Sequence, residues 1–326
     1  MSASAPPSSS APSHSAPSLK PASRHSLAVG LAIVIAWGVN FPLQKALLTA
    51  MQPEGFLFLR FALMPLLVIG LLLHRYGLRW PRVSRSDGWA LLRLGLLGQG
   101  LHLALSSYGI HFSTPFSSSV LLACGPVFTL LILRAFGIEK LRAAQLAGIA
   151  VAAGGALLFM SDKLLAANWR ASGGDAILLL AAAMFSYYTV AAKPLIARHG
   201  AVLVMCYASL AATLPVLAYA WPVARAVDWS AVTPLLWLGS VWAIAGIGFL
   251  TWLAWGWVNA ERGVARTAPL IYLMPPIAGL AAWISTGEQF TAPKLIGAAL
   301  TLAGVAWAQF APQSGNKALE STLPMD

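Results

Sequence analysis

Charge is what this sequence has least of. Lys, Arg, Asp and Glu together make up 10% of its 326 residues, whereas 58% are hydrophobic. Soluble globular chains are nearer a quarter charged, so a fold solvated by water would leave too much apolar surface uncovered. Acidic residues are the scarcer sign: there are ten, and none lies at the centre of an apolar run. That absence disfavours the carboxylate relays by which many membrane proteins couple to protons. Cysteine is nearly missing. Cys124 and Cys206 sit inside apolar stretches with no Cys or His partner nearby, which argues against a disulfide framework or a metal site. Both are expected as small buried hydrophobes. The chain has no G-x-S-x-G, no H-E-x-x-H and no P-loop, so an intramembrane enzyme is disfavoured and this chain alone does not burn ATP. No cofactor or metal is implied.

What is present is a series of long apolar runs separated by short polar breaks. A helix crosses a bilayer core of about 30 Å with about 20 residues. On that measure we read ten spans: 27–48, 55–74, 88–110, 114–135, 142–161, 174–195, 201–221, 232–258, 266–287 and 293–311. Residues 1–25 are Ser, Ala and Pro almost throughout and are expected to form a disordered cytoplasmic tail. Residues 312–326 form a second, short cytoplasmic tail.

The net charge of +11 raises the question of nucleic acid, but the basic residues form short clusters between uncharged runs. Such clusters orient membrane spans rather than build a basic stripe. With the N-terminus inside, fifteen of the 21 Lys and Arg residues fall on the cytoplasmic side. The other six are Lys45, Arg60, Lys163, Arg170, Arg225 and Lys294. This bias fits ten spans with both termini cytoplasmic, and the expected location is the bacterial inner membrane.

The halves echo each other. Ser117-Ser118-Ser119, Gly125-Pro126, Gly137, Glu139, Gly148 and Gly155 are followed in order by Thr267-Ala268-Pro269, Pro275-Pro276, Gly287-Glu288, Gly297 and Gly304. Trp37 and Lys45 are spaced like Phe185 and Lys193. Five spans per half is an odd number, so the second half must be inserted upside down. The expected fold class is therefore an all-α integral membrane protein of two inverted five-helix repeats, 26–161 and 162–311. In secondary transporters the substrate site lies where such repeats meet.

AWGVNFPLQK (36–45), Glu54 with Leu59-Arg60-Phe61, and the late Pro275-Pro276, Gly287-Glu288, Gly297 and Gly304 resemble the EamA-type drug/metabolite transporter superfamily. The resemblance spans residues 27–311. It implies ten helices in two inverted repeats, a central cavity, alternating access, and amino acids, other metabolites or drugs as cargo. Met274 stands where the family often has an acidic or proline residue.

Polar groups at membrane depth are costly and usually face a cavity or a partner. Trp37, Asn40, Phe41, Gln44 and Lys45 share one helical face. The functional reading is a cavity wall; the plainer one is a packing stripe with Lys45 snorkelling. Phe185, Tyr188 and Lys193 repeat that face in the second half, and Lys45 and Lys193 are expected to meet across one path. Gln99, His102 and Ser106 form another face, where His102 is either a proton carrier or a neutral interhelical histidine. Ser117, Ser118, Trp252, Trp255 and Tyr272 complete the expected substrate-binding set. Gly125, Pro126, Pro275 and Pro276 are expected as kinks or hinges. The small-residue faces at Gly148/Ala152 and Gly304/Ala308 are expected as structural or homodimer surfaces. The partners expected are the bilayer and a small-molecule substrate. An amino acid leads, because cations and aromatics suit an amphipathic carboxylate; drugs, lipids or nucleotide sugars are the alternatives, and an intramembrane enzyme or a receptor is a distant one.

Overall fold

The computed structural model describes residues 24–138, 140–165, 169–262 and 270–311. The C-terminal tail, most of the Ser/Ala/Pro tail, Glu139 and Thr267-Ala268-Pro269 lie outside the described residues. Every regular element among the described residues is helical. Among the described residues, six helices are long and apolar enough to cross a membrane: Arg24–Tyr76, Pro115–Ala135, Ala143–Ser161, Gly173–His199, Ala201–Ala224 and Pro234–Val258.

α1 (Arg24–Tyr76) holds 53 residues, which would extend about 80 Å if straight. It is instead two arms folded at Gln52, whose backbone leaves the helical region (φ 63, ψ 160). Pro53 explains the position, because proline crowds the residue before it out of the helical conformation. α2 (Arg85–Arg93) starts at Ser84, whose hydroxyl caps the Asp87 amide at 3.1 Å. It runs into a π-helical segment, Leu94–Leu101, and then α3 (His102–Phe112). Thr114 caps α4 (Pro115–Leu122), with proline in the first turn, where no N–H is needed. That span breaks at Ala123 and Cys124 and resumes as α5 (Gly125–Ala135). Ser186 closes the break by donating to the Gly125 carbonyl at 2.7 Å. α6 (Ala143–Leu165) ends the first half.

The second half repeats this succession. α7 (Trp169–His199) and α8 (Ala201–Ala224) follow the two arms of α1. α9 (Pro234–Val241) passes into a second π-helical segment, Trp242–Leu250, and α10 (Thr251–Arg262). A turn at Tyr272 and Leu273 precedes α11 (Met274–Thr286), in whose first turn Pro275 and Pro276 sit. Gly287 closes α11 at φ 64, a left-handed cap that glycine takes at no steric cost. α12 (Ala292–Phe310) completes the bundle.

α6 and α12 bury their small-residue faces on each other. A side chain added at Gly148 would meet the Ala308 amide nitrogen at 2.5 Å, and one at Gly304 would meet the Ala152 backbone. Gly155 likewise faces Thr301, and Gly297 faces Phe159. One helix ascends as the other descends, so these equivalent helices of the two halves are antiparallel. Of the two roles expected for these faces, structural or homodimer, the structure shows the structural one, with the backbones in close contact inside one chain. Cys124 and Cys206 are free and buried.

Candidate functional site

Both halves contribute to one cavity of about 160 Å³. The second arm of α1 supplies Arg60, Met64 and Val68. The first π segment and α3 bring Gly98, Gln99, His102 and Leu103, and α7 and α8 add Phe185, Tyr188, Met205 and Ser209. From the second π segment and α10 come Gly248, Phe249 and Trp252. Two π segments thus meet in a single cavity. A π turn carries an extra residue and rotates the side chains that follow, and such turns recur at functional sites.

Close approach accounts for two glycines here. A Cβ on Gly98 would lie 2.6 Å from Tyr188 Cβ, so only glycine lets this ring seat on the π segment. A Cβ on Gly248 would lie 3.2 Å from Arg60 Nη2, the room in which the guanidinium rests.

Arg60 is the feature that sequence reasoning missed. It was counted among the outer-side cations, whereas its side chain enters the cavity and its Nε is buried without a hydrogen-bond partner. Among the described residues no Asp or Glu lines the cavity. An available signal was its place in Phe58-Leu59-Arg60-Phe61, a charge already inside an apolar run; such a charge is a functional candidate by default.

The structure brings Gln99, His102, Phe185, Tyr188 and Trp252 of the predicted residues into this cavity. His102 Nδ1 lies 2.9 Å from the Ala181 carbonyl. A carbonyl only accepts, so Nδ1 carries the proton and His102 ties α3 to α7. Its ring packs on Phe185 with centroids 5.2 Å apart.

The other predicted residues lie elsewhere. Trp37 donates to Thr251 Oγ1 at 2.7 Å and packs on Trp255, one turn beyond Trp252. Asn40 is buried with Gln44 as neighbour, and Phe41 belongs to the apolar core. Ser106 is buried, Ser117 and Ser118 pair with Thr114, and Tyr272 donates to Gln309. Lys45 does not line the cavity: its ammonium donates to the carbonyls of Ile110, His111 and Ser113. There a cation satisfies the open end of α3 and complements its dipole. Lys193 is exposed on α7, and neither Lys45 nor Lys193 lines the cavity where the two were expected to meet.

Several carboxylates are committed to the ends of the bundle. Tyr108 donates to Glu54, and Ser113 to Asp175. Glu288 pairs with Lys294 at 2.6 Å and accepts from the Phe116 amide at 3.3 Å. Lys294 lies over the rings of Phe116, Phe159 and Phe290, joining the halves through charge and aromatic faces. Asp87 takes His199 and Arg198, each at 2.8 Å, clasping the start of α2 to the end of α7. The His199 hydrogen bond, with the Arg198 charge, holds the Asp87 carboxyl below its ordinary range. A lowered folded-state value adds stability above the unfolded value of about 3.9, lost as pH falls through the folded value. Asp87→Asn is therefore expected to lower the melting temperature in detergent at pH 7. The gap from the parent should close below the carboxylate range; a gap that persists there would contradict this role.

The chain matches the model of the EamA-like transporter family twice, over residues 25–161 and 172–309. It is similar to a probable terminal-alkyne amino-acid exporter of Streptantibioticus cattleyicolor, with 29% identity over 83% of this chain and 89% of that protein. It is also similar to probable amino-acid metabolite efflux pumps of Salmonella typhimurium (28% identity; 85% and 92% covered) and Escherichia coli (27%; 87% and 94%). A solved crystal structure shares the fold at a TM-score of 0.56 and 21% identity, covering 87% of this chain and 96% of that one.

Proposed function

We propose, for a chain that belongs to the EamA-like transporter family, that it is a secondary transporter exporting amino acids or related amphipathic compounds by alternating access through the Arg60 cavity. The observation that carries this reading is Arg60, a half-buried cation whose Nε is buried without a hydrogen-bond partner and which no carboxylate balances among the described lining residues, in a cavity to which both halves contribute. Holding such a charge in lipid is costly unless an anion uses it. Aromatic and thioether side chains beside it suit an apolar body. In this reading ten spans form two inverted sets of five, with both termini on the cytoplasmic side of a bacterial inner membrane. The antiparallel packing of α6 on α12 supports the inversion, and relatives named as amino-acid exporters support the cargo. A nucleotide sugar, with its two phosphates, would call for more cations than Arg60 among the described lining residues.

The test is release from proteoliposomes loaded with a panel of amino acids, amino-acid derivatives, nucleotide sugars and cationic drugs, with and without a pH gradient. Faster release of amino acids or their derivatives than from protein-free vesicles is expected. Movement of nucleotide sugars or cationic drugs alone would overturn the proposal.

A further inference from the structure

Building on that reading of the cavity, we infer that its preferred cargo bears one net negative charge: an amino-acid-sized carboxylate with an apolar side group, whose amine is absent or capped, rather than a free zwitterion.

The inference follows from the charges that face the cavity. Among the described residues no carboxylate balances Arg60 there, and Gln99, Tyr188 and Ser209 are neutral. His102 already gives its Nδ1 proton to Ala181, so a second proton would create another cation in the same cavity. A monoanion bound at Arg60 leaves the site neutral. A zwitterion also supplies a carboxylate, but its ammonium then remains as an unbalanced positive charge. Amide, hydroxyl and backbone oxygens can accept hydrogen bonds from that ammonium, yet none of them cancels its charge. In a low-dielectric interior this difference is large, because Coulomb energies there are several times those in water.

The size of the site points to the side group. Apolar cavities of about 150 Å³ take up benzene, and this cavity is of about 160 Å³. Trp252, Phe249, Met64 and Met205 offer an apolar and polarisable lining for one ring or branched chain. A carboxylate one or two bonds from such a group would reach the guanidinium while the ring stays among these side chains.

The experiment uses the full chain, purified in detergent, and four molecules that share a phenylethyl frame: phenylalanine, N-acetylphenylalanine, 3-phenylpropionate and phenethylamine. Binding is followed by quenching of tryptophan fluorescence, and transport by counterflow in proteoliposomes. The expected result is that both anions bind at least tenfold more tightly than phenylalanine, and that phenethylamine binds most weakly. Phenylalanine binding as tightly as either anion would overturn the inference while leaving the transport reading intact. Binding and transport of none of the four would overturn both. Gln99→Glu gives a second measure by placing a carboxylate in the same cavity. It should shift preference towards phenylalanine at least tenfold, and an unchanged order would overturn the charge argument. Arg60→Lys keeps the positive charge and should keep the preference for anions, which separates charge from the particular shape of arginine.

Discussion

Arg60→Met is expected to abolish transport while leaving the protein as stable as its parent or more so. The two effects share one cause. Arg60 places a guanidinium in the cavity with its Nε unpartnered and no carboxylate among the lining residues. Removing one partner of a buried charge pair typically costs about 2–5 kcal/mol, roughly 30- to several thousand-fold in affinity. Loss on that scale would take cargo binding below any useful concentration. Replacing even a buried ion pair by well-packed apolar side chains is often neutral or stabilising by about 1–4 kcal/mol, and the half-buried Arg60 has no carboxylate beside it to lose among the described lining residues. Binding and counterflow of the anionic cargo, with the melting temperature of the same preparation, check both halves of the expectation. A variant that loses stability together with transport would show Arg60 to be structural, and one with normal flux would remove it from the site.

Gly304→Val is expected to have the largest effect on folding. A Cβ at Gly304 would lie 2.7 Å from Ala152 Cα and touch the Gly148 carbonyl oxygen at 2.8 Å. Backbone atoms cannot rotate away as a side-chain tip can, so α6 and α12 must separate along their seam. Overpacking of this kind usually costs about 1–3 kcal/mol, occasionally more. Much of the packing gain between these helices comes from that closeness rather than from water exclusion. The control is Gly154→Val on α6, where an added Cβ meets nothing within 4 Å. Yield of monodisperse protein and melting temperature in detergent should fall for Gly304→Val and stay near the parent for Gly154→Val. Equal behaviour of the two would refute the seam.

How far the sequence could be read depended on which property was asked for. The breaks before Gly125-Pro126 and Met274-Pro275 were legible because proline removes an amide and crowds the preceding turn, whatever surrounds it. The boundary between the spans 88–110 and 114–135 was legible for the same local reason, with Pro115 in the first turn of α4 and Thr114 as its cap. Gln99 and His102 were found as a polar face within an apolar run, and both line the cavity. Arg60 and Lys45 were misjudged in opposite directions. Each is a cation in an apolar stretch, which marks both as candidates, but sequence does not show which one meets helix-end carbonyls and which enters the cavity. The small-residue faces were recognised, but sequence cannot tell a partner within the chain from a second copy.

The sequence by itself determined that lipid is the solvent, that the spans are helical, and that the chain is built as two related halves. Those follow from composition, run length and the placing of glycine and proline, each of which acts through local backbone chemistry or bulk transfer into a bilayer. Only the tertiary structure decided that Arg60, rather than Lys45 or Lys193, is the cation at the cavity. It also decided that two π segments frame that cavity. The reason is that a π turn changes the rotation of every side chain beyond it, and nothing in the 3.6-residue period announces where it will occur. A charge in lipid is defined by what lies opposite it, and what lies opposite is set by helix packing alone.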